Sequence, residues 1–346
     1  MSTATELAEI HDHMAGGIDE WALHAPPLPG ALVLGEGMTR EEWLATRAQL
    51  TSDGLPQVGA SMVASILGVE GAFGSCRTAW KELRGEGARV VESEAMEAGS
   101  WYEQRCAERF SQKSGIETVE PNPLTIYASR EFPFATASPD RLAVAGDKVT
   151  GWVESKWVGA HRAEEWTSPP AKYEAQVRWQ LLVSHLPVGY LVAEIGGQRM
   201  VWFEIERDEY WEEYALNEVR SFLELVVSGR EPEADDSEAT KRALAAEFAD
   251  ATPEPLEGGC RLAQAVAELM DAQDIERSTK ARLTQAENAV QLLLREHEVG
   301  TVDGTQVVTW KTQRRAGYTV EPGQYRRLVV PKSARTFFAA MEGAEL

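Results

Sequence analysis

The sequence predicts an α/β core, a mixed central sheet flanked by helices, followed by a C-terminal helical plus β extension. Three observations lead there. Residues 142–144 and 148–157 read as two strands around an Ala-Gly-Asp turn, and residues 190–195 and 200–205 as a second pair around Gly196-Gly197. A helical stretch, residues 172–185, lies between the pairs. Beyond them, residues 231–258 carry nine acidic residues, two basic residues and three prolines, the composition of a solvated linker.

The earlier elements are helical. Residues 40–50 read as a helix, and residues 61–67 as a short one with Ser61 near its N-cap and Gly68 at its end. Residues 92–115 form a longer amphipathic helix holding Met96, Trp101, Cys106 and Phe110. The division is therefore a core at 1–230, an acidic linker at 231–258 with one short helix at 239–248, and an extension at 259–346. The extension opens on Leu262, Val266, Leu269, Leu283, Ala286, Val290 and Leu293, a stripe suited to a helical hairpin or a partner helix that Gly300 ends. Residues 305–310 are β-like. Seven basic residues face two acidic ones over 301–335, and the group Trp310, Lys311, Arg314 and Arg315 suits either a phosphate backbone or the acidic remainder of the chain.

Composition narrows the function classes. At 346 residues with 43% hydrophobic and 26% charged, the chain has room for about two domains and a sizeable core, which excludes wholesale disorder. A net charge of −21 argues against non-specific coating of nucleic acid and leaves room for one local basic groove. The most apolar stretch, residues 181–197, is broken by His185, Pro187 and Glu194, so no membrane role is expected. The N-terminal Glu6, Glu9 and Asp12 do not make a secretory signal, and a cytoplasmic location is expected. His11-Asp12-His13 reads as solvated. Cys76, Cys106 and Cys260 form no CxxC pair, which points to buried reduced thiols rather than zinc or an iron–sulfur cluster.

The chemistry concentrates in Ser138-Pro139-Asp140 and Glu154-Ser155-Lys156. Side chains alternate along a strand, so Glu154 and Lys156 share a face and Ser155 offers only its backbone carbonyl to that edge. Asp140 and Glu154 suit a hard Mg²⁺ ion, and Lys156 suits orienting or deprotonating a water, or stabilising charge on a phosphate. This arrangement suits phosphodiester hydrolysis, although an ExK on a strand taken alone reads as an ordinary exposed charge pair. A two-residue Gly146-Asp147 turn would place Asp140 on the wrong face, so an odd loop or a bulge is expected.

The flanking residues make a family recognisable. Tyr173, Gln176 and Gln180 follow as Tyr-x-x-Gln-x-x-x-Gln, Glu103 precedes as Gly99-x-x-x-Glu103, and Trp43-x-x-x-Arg47, Gly59-Ala60-Ser61 and Ile66-Leu67-Gly68 lie upstream. The region from Glu41 to Ile195 resembles the YqaJ-like phage recombinase nucleases, the phage lambda exonuclease group of the PD-(D/E)xK superfamily, with their restriction-endonuclease-like core. The resemblance implies Asp140 and Glu154 as metal ligands with the Ser155 carbonyl, Lys156 as the catalytic lysine, Glu103 as a further member of the metal shell, and Gln176 positioning substrate or water, with Gln180 next in line against DNA. It implies that Arg47, Ser61 and Ser138 hold DNA phosphate, though Ser61 also reads as a simple N-cap and the gap from Arg47 is wider than usual. Both glutamines also read as polar residues of a half-buried helix. Trp152, Trp157, Trp166 and Trp179 surround the site as core residues or base-stacking platforms.

The function expected from this resemblance is Mg²⁺-dependent (Mn²⁺ as substitute) 5′→3′ resection of double-stranded DNA ends for phage-type recombination, by a ring-shaped trimer with a single-strand annealing partner of the Bet or RecT kind. Two rivals stay open. One is a RecB-like or endonucleolytic PD-(D/E)xK nuclease of other polarity, the other a non-catalytic DNA-binding assembly module.

Overall fold

The computed structural model describes residues 24–87 and 94–312. His11-Asp12-His13 and the basic residues from Arg314 onward lie outside them, as does the side chain of Met96. Within the first part run β1 (Ala31–Gly35), α1 (Arg40–Arg47), β2 (Val58–Gly59), α2 (Ala60–Ile66), α3 (Cys76–Leu83) and α4 (Glu94–Ser114). The strands β3 (Glu117–Val119), β4 (Ile126–Ser129), β5 (Ala135–Ala137), β6 (Arg141–Ala145) and β7 (Lys148–Val158) follow. A 3₁₀ turn at Ala160–Trp166 leads to α5 (Ala171–Ser184), then β8 (Val188–Ile195), β9 (Arg199–Glu206), α6 (Glu209–Ser228) and α7 (Glu238–Glu247). The last elements are α8 (Gly259–Leu294), β10 (Val299–Val302) and β11 (Thr305–Thr309).

The expected mixed α/β core is present. Five strands lie in the order β3-β6-β7-β8-β9, antiparallel throughout except for β7 and β8, which run parallel because α5 carries the chain back across the sheet. One face packs on α4, whose Cys106 and Phe110 meet Ala143, Val153 and Val192. The other face packs on α5, where Val177 and Leu181 cover Trp152, Leu142 and Leu191. Gly189 permits that approach, since a Cβ there would lie 2.3 Å from a methyl of Val177. A small second sheet, β1-β4-β5-β2, closes around the far side of α5. It escaped the sequence reading because its strands are only two to five residues long.

The helix ends follow local chemistry. Thr39 and Glu42 form a capping box on α1, Ser75 and Thr78 one on α3, and Asp208 caps α6. Ser61 differs from expectation: Gly59 is the N-cap of α2, and Ser61 is the second helical residue and exposed.

The chain divides into two units, Met1–Leu244 and Ala245–Leu346. The boundary lies later than residue 230 because the acidic stretch is not all linker. Glu231 pairs with the buried Arg77 at 2.6 Å, and Thr240 of α7 is buried with its hydroxyl 2.8 Å from that of Ser75. In the second unit the apolar stripe lies on one continuous helix, α8, of 36 residues rather than on a hairpin. The helix ends at Leu294, with Arg295 at φ 52°, while Gly300 sits in the β10–β11 hairpin. Cys260 is exposed, unlike Cys106, which is buried, and Cys76, which is partly so.

Candidate active site

The β6–β7 hairpin turns through two residues, Ala145 pairing with Lys148, and a bulge then shifts the register so that Ala143 faces Gly151 and Arg141 faces Val153. The bulge is the second of the two devices expected. It brings Asp140, one residue before Arg141, opposite Glu154, and residues directly opposite in an antiparallel pair share a face. Without it Asp140 would point to the α4 side.

Asp140 and Glu154 are therefore gathered with Lys156. The main-chain N–H of Ser155 donates to Asp140 Oδ2 at 2.8 Å. In a strand a residue's N–H and C=O point to the same side, so the Ser155 carbonyl also faces this open edge beside Asp140. Glu154 is 2% exposed. Its Oε1 accepts from Lys156 Nζ and from Gln176 Nε2 at 2.7 Å, and its Oε2 from Gln180 Nε2 at 2.5 Å. Gln176 and Gln180, four apart on α5, thus grip both oxygens of one carboxylate. Gln180 is fully buried, which corrects its expected place at the DNA: it acts on Glu154.

The electrostatics are those of a crowded anionic site. Burial, then the carboxylates of Glu154 and Glu103, hold the Asp140 carboxyl well above the usual carboxylate range. Burial pulls Lys156 down, but Glu154 and Asp140 outweigh it and the ammonium is held above its ordinary value. Lys156 is a cation here.

Glu103 approaches from the α4 face and lies 3.6 Å from Arg141, whose other nitrogen meets Glu120 at 3.1 Å. Burial raises its carboxyl first, with Arg141 opposing. Among the described residues no three His, Cys, Asp or Glu side chains stand close enough to hold a metal by themselves. The donors at the edge are Asp140, Glu154 and the Ser155 carbonyl, all hard oxygens, and this set fits a Mg²⁺-like ion that keeps several waters.

A second group lies at the start of α2. The guanidinium groups of Arg40 and Arg47 both lie over the Trp43 indole of α1, each 4.5 Å from a ring centre, and its indole N–H donates to Ser138 Oγ at 3.4 Å. Arg47 Nη2 lies against Gly59, so Arg47 and the N-terminus of α2 with Ser61 come together, and Trp43 links them to Ser138.

Of the four tryptophans, Trp152, Trp166 and Trp179 are buried core residues, and Trp157 stacks on Tyr102 with ring centres 4.0 Å apart. The sequence reading missed Phe73 and Lys172. Lys172 Nζ lies 3.9 Å over the Phe73 ring beside Tyr173, and only the adjacency of Lys172 to the Tyr-Gln-Gln motif hinted at it.

Residues 42–187 match the model of the YqaJ-like viral recombinase domain. The matched stretch is a little under half of the chain. All the residues just described at the two sites fall inside it, apart from Arg40. The chain is 29% identical over 219 residues to uncharacterized protein YqaJ of Bacillus subtilis, a match covering 62% of this chain and 65% of that protein, just under two thirds of the relative's length. Among solved structures it is similar to the alkaline exonuclease LHK-Exo of Laribacter hongkongensis, at 22% identity over 60% of this chain and 99% of that one, TM-score 0.45. It is also similar to a phage related exonuclease from Haemophilus somnus, at 13% identity over 51% and 96% of the two chains, TM-score 0.39. No described helix is long and apolar enough to cross a membrane.

Proposed function

We propose that the YqaJ-like domain is a divalent-metal-dependent DNA exonuclease that resects double-stranded ends from 5′ to 3′. The observation that carries the reading is the bulged hairpin, which sets Asp140 opposite Glu154 with Lys156 on the same face and the Ser155 N–H on Asp140. Asp140, Glu154 and the Ser155 carbonyl would hold Mg²⁺, which when bound supplies a Lewis acid for a non-bridging phosphate oxygen. Glu103, beside Arg141 and close enough to act on Asp140, would add a further carboxylate to the surroundings of that ion.

The side chains have separable tasks. Gln176 and Gln180 fix the Glu154 carboxylate in one orientation by hydrogen bonds to both oxygens. Lys156, whose Nζ donates to Glu154, would orient the attacking water or stabilise charge on the phosphate. Arg47, Ser61 at the N-terminus of α2, and Ser138 offer a cation, free main-chain N–H groups and hydroxyls to the terminal 5′ phosphate. A trimeric assembly and a single-strand annealing partner belong to the same reading, and mass in solution and co-purification would test them.

The test is digestion of a linear duplex labelled at its 5′ or 3′ end, with Mg²⁺ or EDTA, with and without a 5′ phosphate, beside Lys156→Ala. Mg²⁺-dependent loss from the 5′ end that needs Lys156 is the expected result. DNA binding without cleavage by folded wild-type protein would overturn it in favour of a non-catalytic assembly module.

A further inference from the structure

Phe73 is 68% exposed, yet the loop that carries it is tied at both ends. On one side Val69 N–H donates to the Ala64 carbonyl at 2.9 Å and Ala72 N–H to that of Val69 at 3.0 Å. On the other, Gly74 N–H donates to Ser65 Oγ at 3.2 Å, and Ser75 begins α3 with its capping box. Gly74 has no room for a side chain, since a Cβ would lie 2.6 Å from Thr78 Oγ1. The turn holds a large apolar ring in solvent, a placement that packing does not require.

The ring stands beside the candidate active site. Its centre is 5.9 Å from that of Tyr173, and Lys156 Nζ lies 5.1 Å from the Tyr173 ring. Phe73 and Lys156 are thus neighbours of one tyrosine. Lys172 Nζ, 3.9 Å over Phe73 and 5.0 Å from Tyr173, makes no ion pair among the described residues, whereas the nearby Arg162 is paired with Glu165 at 2.6 Å. An aromatic face beside a cation that Glu165 acts on only from a distance and through its pairing with Arg162, in a chain of net charge −21, matches the chemistry of an unstacked nucleotide.

We infer that Phe73 and Lys172 form a nucleotide subsite: a base unstacked from the strand being cut lies on the open face of Phe73, and Lys172 takes up that nucleotide's phosphate. The inference rests on the nuclease reading and adds a positioning pair to it. Loss of one base stack is worth about ten-fold in binding or rate.

The experiment places an abasic site at each of the first four nucleotides of the cut strand. It compares kcat/KM for wild type, Phe73→Ala and Phe73→Trp, and Kd for the same duplexes with Lys156→Ala and Lys156→Ala/Phe73→Ala. One abasic position should cost wild type about ten-fold, Phe73→Ala should cost about the same on intact DNA and be indifferent to that position, and Phe73→Trp should restore activity. Lys172→Ala should reduce the slope of log Kd against log salt by about one. Equal kcat/KM and Kd for Phe73→Ala and its parent, the outcome if Phe73 instead meets another protein, would overturn the subsite while leaving the nuclease reading intact. Wild type that leaves every duplex uncut with Mg²⁺ or Mn²⁺ would overturn the nuclease reading. The Kd comparison then decides the subsite alone, with a ten-fold loss supporting it.

Discussion

The main-chain N–H of Ser155 donates to Asp140 Oδ2 at 2.8 Å, joining the residue before β6 to the strand that carries Glu154 and Lys156. Asparagine can accept the same bond, and it removes the charge that burial, Glu154 and Glu103 disfavour at this position. Asp140→Asn is therefore expected to be at least as stable as wild type in EDTA and to lose about 100-fold or more of its Mg²⁺-dependent cleavage. Urea unfolding beside the cleavage assay checks it. A large fall in the unfolding midpoint would mean that Asp140 serves the fold instead.

Arg47 lies so close to Gly59 that a Cβ there would come within 2.9 Å of its guanidinium. Gly59 has φ −78°, so alanine meets no backbone strain, and its cost at this N-cap is about 1 kcal/mol or less. Gly59→Ala should displace Arg47 and reduce the preference for 5′-phosphorylated over hydroxyl ends several-fold. Unchanged discrimination would remove Arg47 from the phosphate pocket.

The three thiols should separate by reactivity. Burial, with Asp235 and Glu218 adding to it, pushes the Cys76 thiol up to about 11, and burial followed by Glu194 pushes Cys106 up to about 12. The thiolate is the reactive form, so a raised pKa leaves little of it at pH 8. One equivalent of iodoacetamide should enter the native protein at pH 8, at the exposed Cys260, with Cys76 following only as pH rises toward 11. Peptide mapping of the labelled protein would show whether Cys76 reacts early.

Two truncations should behave differently. Ending the chain after Arg230 removes Glu231 from the buried Arg77, and Thr240 from Ser75. Ending it after Asp250 keeps both contacts and the whole of α7. The shorter protein should be less stable by about 2–4 kcal/mol, the scale of buried polar partners left incomplete. Coincident urea transitions for the two would show that residues 231–250 add nothing to the first unit.

Short-range pattern made much of this protein legible in the sequence. Alternation placed Glu154 and Lys156 on one face, the four-residue spacing placed Gln176 and Gln180 together, and the Gly146-Asp147 turn demanded an irregularity if Asp140 was to join them. Each is a periodicity of a single element or hairpin, which neighbouring residues set by themselves. Tertiary structure alone decided the rest. The bulge between the turn and Arg141, the burial of Gln180 against Glu154, and the approach of Glu103 to Arg141 from the opposite face depend on which helices cover which side of the sheet. So does the presentation of Phe73 beside Tyr173, a contact across 100 residues of sequence. Spacing along a chain records which side chains share a face; packing between elements determines which atoms that face meets.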